Sequence, residues 1–368
     1  MRNKIVMVVL SVALVVSLVL VGCAKPAPVT PTPVTPTPVT PTPAPEEEVI
    51  HWKFQCYHPL GALSSEVTVP HFIERVREMS NGRLDISLHY SGELVKNMEV
   101  FPALEANTIQ IANTGGLLWR GDVPVGWLQS ANLPPFVYRT NDEFHELYHY
   151  RGLDKLMKEG WAERGIYFLG SHNVGNTYFW SSKPLYGVED LKGFKVRFFG
   201  AMSDTMEHFG AAPVFIPHEE TYMGIKTGVI DGGGTCWWLY RDLKLYEVCP
   251  YFIGPPWQTP QGMELWVSMK AWNALPDEIK AMIETANKAL QFEYSNLVTM
   301  QERDMFHKSF PEWGTTYIEW GEEDVAKVRE FSVEYLDQVA AEVGPKDPRV
   351  AQGIDIIKQF MEDYGYID

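Results

Sequence analysis

Arg197 is the residue best placed to do chemistry in this 368-residue chain. It ends an apolar run, between Val196 and Phe198, in a protein of formal charge −16. A guanidinium fork in that setting either grips a carboxylate through two hydrogen bonds or closes a structural ion pair. Spacing alone leaves both open. Aromatic residues gather after strands of the same region: Tyr178, Phe179 and Trp180, then Trp237, Trp238 and Tyr240. Adjacent tryptophans on a loop must point in different directions, so one of Trp237 and Trp238 is free to face a cleft while the other enters the core.

Other patterns are weaker. His145-Glu146-Leu147-Tyr148-His149 matches HExxH, which on a helix would offer zinc two imidazoles and a general base. The spacing that would bring a third ligand reaches Lys155, which cannot bind metal while protonated. A solvated helix face is the simpler reading. Gly232-Gly233-Gly234 follows an apolar stretch, as a phosphate-cradling loop would, but no GK[ST] or GxGxxG accompanies it. A tight strand-to-loop turn is expected there. There is no GxSxG elbow and no CxxC or Cys/His metal spacing, so neither an enzyme nor a cofactor is indicated.

The elements that must position these residues follow from periodicity. Residues 50–56 read as a strand. Val67, Phe72, Ile73, Val76 and Met79 recur at helical intervals and stop at Asn81-Gly82. Residues 84–90 alternate as a half-buried strand, 92–104 read as a helix and 108–112 as a third strand. That β-α-β-α-β order predicts a parallel, doubly wound sheet. A second cycle begins with a helix over 141–160 and a strand over 165–170. It continues with a strand ending at Arg197, a helix over 202–209, a strand over 212–216, a helix over 219–227 and a short strand over 229–231. Beyond Pro276 helices dominate, and residues 277–306 contain neither Pro nor Gly. Open parallel sheets bind ligands beyond their strands' C-terminal ends, and two lobes would make a cleft at their junction.

The N-terminus carries an address. Arg2 and Lys4 precede an apolar run over residues 5–21, then Gly22 and Cys23. A basic start, a short apolar core and a small residue before a Cys resemble a bacterial lipoprotein signal over residues 1–22, whose Cys is cleaved free and acylated. Val29-Thr-Pro-Thr-Pro then recurs at Val34 and Val39. Residues 23–48 are therefore expected to form an extended polyproline tether, whose reach at about 3.1 Å per residue would be roughly 60–80 Å. The chain is thus expected outside the cytoplasm, held to a membrane by lipid. Removing Arg2 and Lys4 with the signal shifts the net charge from −16 to −18. Such an acidic surface argues against nucleic acid and anionic lipid as partners. The remaining body of about 320 residues is long for one core. That length suits two lobes, and the chain's 45% apolar content and 12 Trp describe a well-buried globular body. With Cys23 acylated, Cys56, Cys236 and Cys249 remain, and either a Cys236–Cys249 disulfide or free buried thiols would fit.

Three stretches resemble the DctP family, the extracytoplasmic solute-binding proteins of TRAP transporters. Asp190-Leu-Lys-Gly-Phe-Lys-Val-Arg-Phe-Phe-Gly200 is similar to the family's DLKGLKxRxPG. Glu220-Thr-Tyr-Met-Gly-Ile-Lys-Thr-Gly-Val-Ile-Asp-Gly232 is similar to ExYxALxxGxVDG, and Tyr246-Glu-Val to its YEV segment. The resemblance implies a periplasmic-binding-protein-like α/β fold: two lobes with a hinge, a central cleft and a long lobe-spanning helix. Residues 49–172 with 263–305 would form lobe 1, and 173–262 with 306–368 lobe 2. It implies a receptor, not an enzyme, that hands a small organic acid to a TRAP membrane permease. By the same resemblance Arg197 holds the substrate carboxylate and Asn176 takes the place of a second polar contact. Thr235 stands where many members carry a substrate-touching Asn. Members that bind 2-oxo acids through a metal carry a Glu-Trp pair where this chain has Gly234 and Thr235, so a metal-bridged ligand is not expected. Trp180, Trp237, Trp238, Asn113 and Glu220 complete the expected substrate-facing set. One Arg among tryptophans suggests a monocarboxylate with an apolar or aromatic body. A ligand sensor for a signalling partner would share this cleft, and a zinc hydrolase on His145, Glu146 and His149 is the more distant alternative.

Overall fold

The computed structural model describes residues 48–368. The expected signal over residues 1–22, Cys23 and nearly all of the expected tether lie outside the described residues. No described helix is long and apolar enough to cross a membrane.

The strands are β1 (Ile50–Gln55), β2 (Leu84–His89), β3 (Ile111–Thr114), β4 (Ile166–Ser181), β5 (Lys195–Arg197), β6 (Ala212–Pro213), β7 (Gly232–Cys236), β8 (Tyr251–Ser268) and β9 (Thr316–Glu319). They form one sheet in the order β2-β1-β3-β8-β4-β7-β5-β6, with β9 also on β8. β4 and β8, of 16 and 18 residues, run antiparallel through the whole molecule. At about 3.3 Å per residue such strands span roughly 50 Å, enough for two lobes. One half of the pair carries β3, β1 and β2; the other carries β7, β5, β6 and β9. Two lobes joined by two long strands are the expected two-lobed architecture.

The sheet is mixed, however, rather than the parallel sheet predicted from element order. β1 with β2 and β3, and β5 with β6 and β7, are parallel; β4 joins β7 and β8 antiparallel. The sequence reading ended the strand at Gly170. The chain instead continues through Gly170 and Gly175, whose φ of +147° and +122° bend the strand at register shifts without ending it. β8 was not predicted at all, because Pro255, Pro256 and Pro260 read as breaks.

Gly232, Gly233 and Gly234 belong to β7, between β4 and β5, and form neither a turn nor a phosphate loop. Glycine is required there by crowding. A Cβ on Gly232 would lie 2.2 Å from the Trp180 carbonyl oxygen, and one on Gly234 would lie 2.0 Å from Phe198 Cζ.

The Asp277–Asp304 helix braces both lobes, as expected. Ile279, Ile283, Ala286 and Leu290 enter the core around Phe54, Phe72 and Leu265. Further along, Tyr294 and Val298 enter the core around Trp180, Tyr240 and Phe252. Between them Asn287 and Gln291 donate to the carbonyls of Leu169 and Ser171, at 3.2 and 2.7 Å, which fixes the helix across the middle of β4.

The C-terminal helices depart from the expected division, which gave residues 306–368 to the second lobe. Phe331, Tyr335 and Leu336 of Glu322–Val343 and Ile354, Ile357 and Phe360 of Pro348–Asp363 bury against Trp119, Phe144, Trp161 and Trp266 of the first. Val325 and Val328 join the second-lobe core with Ile318 and Trp320, and Phe331 stacks on His208 while the Tyr335 hydroxyl donates to Asp204, so the Glu322–Val343 helix touches both lobes. An amphipathic pattern says that a face is buried, not against which partner.

Crowding at β7 gives a direct test. Gly234→Ala should lower stability by about 1–3 kcal/mol through overpacking against Phe198. Gly121→Ala, where nothing lies within 4 Å of an added Cβ, should stay within about 0.5 kcal/mol. Urea unfolding followed by tryptophan fluorescence compares the two.

Candidate functional site

Alternation along β5 sends Val196 and Phe198 into the core with Phe179 and Trp257, and so turns Arg197 to the opposite face. There it sits in register with Gly233 of β7, which is in register with Trp180 of β4. A Cβ on Gly233 would lie 3.2 Å from Arg197 Cβ and 3.6 Å from Trp180 Nε1. The glycine thus leaves the space between guanidinium stem and indole open. Thr235, two residues along β7, is buried on the same face.

Arg197 is 5% exposed. Its Nε donates to the Ile216 carbonyl at 3.2 Å, its guanidinium lies 5.3 Å from the Phe199 ring, and Nη1 has no partner among the described residues. Burial pulls its pKa down to about 10, with Tyr57 and Glu219 acting against the shift. It remains charged at neutral pH. A buried charge without a counter-ion costs several kcal/mol, so this guanidinium is poised for an anion.

The groups around it were not found from the sequence. Tyr57 and His58 follow β1, His172 lies within β4, and His218 precedes the Thr221–Lys226 helix. The His58 ring meets Tyr57 and Trp238 edge-on at 5.2 and 5.3 Å, and its Nδ1 lies 2.6 Å from Ser64 Oγ. His172 stacks on Tyr294 at 5.3 Å. Burial holds all three imidazoles neutral, lowering His58 to about 4 and His172 and His218 to about 3. Arg197 and His58 depress His218 further, and His58 depresses His172. The histidines therefore add polar contacts but no charge, and Arg197 supplies the cation. A lone histidine in an apolar stretch carries no periodic signal that marks it as ligand-facing.

Other expected residues divide. Asn113, at the end of β3, accepts the Tyr57 N–H at 2.8 Å through Oδ1, while its Nδ2 is buried without a partner. The indole N–H groups of Trp180 and Trp237 are likewise buried and have no partner among the described residues. Trp238 donates to the Val174 carbonyl at 2.9 Å and turns its ring edge to His58. Trp237 is fully buried, with the Arg241 guanidinium 5.5 Å from its ring. The adjacent tryptophans do diverge.

Asn176 is placed elsewhere. Its amide donates to both carboxylate oxygens of Glu302, at 3.1 and 2.9 Å, and serves the bracing helix. A buried carboxylate demands such donors. Glu220 is exposed on a 3-10 turn, and its neighbour Glu219 is the carboxylate that acts on Arg197. The His145 and His149 rings stack 5.1 Å apart, but the other HExxH contacts are structural. Glu146 binds Arg151 and the Tyr364 hydroxyl, and His149 pairs with Asp154. Among the described residues no three His, Cys, Asp or Glu are grouped to hold a metal. Among the described residues the carboxylate that acts on Arg197 is that of Glu219, which is exposed. Cys56, Cys236 and Cys249 are free buried thiols, and Cys236 donates to Gln261 Oε1 at 3.0 Å.

This architecture is that of two-lobed periplasmic solute-binding proteins. The chain belongs to the family described as bacterial extracellular solute-binding protein, family 7 (DctP), which matches residues 64–342. It is 26% identical over 303 residues to the monocarboxylate 2-oxoacid-binding periplasmic protein of Nostoc sp., covering 79% of this chain and 80% of that one. An apo open structure of a TRAP periplasmic solute-binding protein from Rhodobacter sphaeroides superposes with a TM-score of 0.71 at 26% identity, covering 86% and 99% of the two chains. A TRAP solute-binding protein from Colwellia psychrerythraea, with bound calcium and pyruvate, gives 0.75 at 22% identity over 87% and 96%. Family members are binding proteins, not enzymes.

The neutral histidines make stability depend on acid. Unfolded, each imidazole takes a proton near pH 6.5; folded, His58 does so only near 4 and His172 near 3. Between those values the unfolded chain binds more protons, so their contribution is complete above about pH 7 and falls as pH drops through 6.5. The expected slope is about 1.4 kcal/mol per pH unit for each histidine. His172→Gln should remove one such increment, measured as the wild-type minus variant difference in urea midpoints between pH 7 and 5.

Proposed function

We propose that this protein captures a small monocarboxylate with an apolar or aromatic body between its lobes and delivers it to a TRAP membrane permease. The observation that carries the reading is the buried Arg197 guanidinium, whose Nη1 finds no acceptor among the described residues. A carboxylate there would take bidentate, charge-assisted hydrogen bonds. Trp180 and Thr235 would flank it, with Asn113, Tyr57 and His218 offering polar contacts, while Trp180 and Trp238 suit an apolar body. Lobe closure would exclude water and strengthen the pair, and the ligand would shift the open–closed balance by its preference for the closed form. Lobe 1 would comprise residues 49–172 and 263–305 with most of the two C-terminal helices, and lobe 2 residues 173–262 and 306–321.

The Nostoc relative's name and the pyruvate in the Colwellia structure support a short 2-oxo acid as one candidate. Pyroglutamate, bound by a Bordetella pertussis receptor of the same fold, supports a compact cyclic monocarboxylate as another. Acylation of Cys23 and the proline-rich tether would keep the receptor near its permease at high effective concentration.

A thermal-shift screen of pyruvate, longer 2-oxo acids, pyroglutamate and aromatic monocarboxylates tests this. At least one should stabilise the wild type by mass action. Arg197→Ala should then weaken binding at least about 100-fold, as truncation of a buried charge pair does. Arg197→Lys should recover only part, because an ammonium lacks the fork. Equal stabilisation of wild type and Arg197→Ala by the same acid would show that the anchor lies elsewhere. In cells, Cys23→Ala should move the protein from the membrane to the soluble fraction.

A further inference from the structure

A second cluster of unpartnered polar atoms lies in the first lobe, on the face of β4 and β8 away from His172. Thr114 of β3 and Ser171 of β4 are both in register with Glu264 of β8. These residues form a row across three neighbouring strands, where side chains on one face stand about 5 Å apart. Gln129 closes the row from above. Its amide lies over Gly116, where an added Cβ would come within 2.2 Å of Nε2 and 2.9 Å of Oε1. Thr114, Gln129, Ser171 and Glu264 are each no more than 1% exposed.

Thr114 Oγ1, both polar atoms of the Gln129 amide, Ser171 Oγ and Glu264 Oε1 have no hydrogen-bond partner among the described residues. Four side chains that meet in one place leave their polar ends unsatisfied, although buried polar groups are almost always paired. The remaining polar wall is committed elsewhere. The Tyr138 hydroxyl donates to the Pro260 carbonyl at 2.9 Å, and the Tyr148 hydroxyl to the Leu128 carbonyl at 2.7 Å. The Gly116 N–H is the one backbone donor from outside β8 that reaches Glu264. Asp154, which adds negative charge nearby, is tied to His149 through Oδ2 but leaves Oδ1 without a partner among the described residues.

The donor set is a carboxylate, two hydroxyls and an amide that can present its oxygen. All are hard oxygens, with no thiol and no imidazole among them, which suits a hard cation. Burial raises the Glu264 carboxyl to a pKa of about 8, so a bound cation would take the place of its proton, and the carboxylate so formed would balance one positive charge. We propose that Thr114, Gln129, Ser171 and Glu264 form a buried monovalent-cation site that locks β3, β8 and β4 of the first lobe together. It is separate from the Arg197 cleft and needs no organic acid.

The test uses the purified chain without organic acid, dialysed into choline chloride. Thermal unfolding is then followed during titration with NaCl, KCl or LiCl at constant ionic strength. One of these cations should raise Tm saturably by at least about 3 °C. Glu264→Gln should abolish the response, and Arg197→Ala should keep it. Should Glu264→Gln fail to fold, the Thr114→Val/Ser171→Ala double variant is read in the same way. Broadening of the 23Na signal by wild type and not by the variant gives a readout independent of stability. Equal Tm in all four salts would overturn the site and leave water as the occupant. A cation response that survives Glu264→Gln would place the bound ion elsewhere.

Discussion

A guanidinium cannot leave water without some anion to replace the lost hydration, and Arg197 has left water without one. It is 5% exposed, it keeps its charge at neutral pH, and its single hydrogen bond among the described residues goes to a backbone carbonyl. The energetic deficit is tolerable only because the fold around it is over-determined. Val196 and Phe198 anchor β5 in the apolar core on either side, while Gly233 leaves room beside the stem that any other residue would fill. The histidines near it are held neutral by burial, so they do not add positive charge that a single carboxylate would fail to balance.

The same arrangement makes binding sensitive to the relation between lobes. Arg197 and His218 belong to the half of the sheet built on β7 and β5, whereas Tyr57, His58 and Asn113 follow or end strands of the other half. What relates them is the antiparallel β4–β8 pair, bent at Gly170 and Gly175, together with the Asp277–Asp304 helix that lies across it. Asn176, read from the sequence as a ligand contact, is spent on holding Glu302 of that helix. The brace and the site therefore compete for the same stretch of β4, and the brace has taken this residue.

Much of the fold was legible. Strands alternated, helices recurred at three and four, and the uninterrupted run from Asp277 marked the brace. The errors share a cause. Gly170, the glycine run and the prolines of β8 each have a local meaning, a break or a turn, that holds in isolation. In the folded chain, Gly170 bends a strand that continues, the glycines admit Phe198 and the Trp180 carbonyl, and the prolines sit within an 18-residue strand. Short-range rules cannot see a neighbour that arrives from elsewhere in the chain.

By itself the sequence carried the basic start, apolar run and Cys23, the repeated proline motif, the acidic composition and the arginine after an apolar run, because each is a property of contiguous residues. Only tertiary structure decided that Arg197 Nη1 has no partner among the described residues, that Trp238 rather than Trp237 meets His58, and that Asn176 bonds Glu302 of the brace. It also decided that Glu146 of the HExxH run binds Arg151 and that His149 bonds Asp154. Those are questions of which side chains meet across β4, β7 and the lobe junction. Register and packing over long sequence separations settle them, and no window along the chain contains both partners.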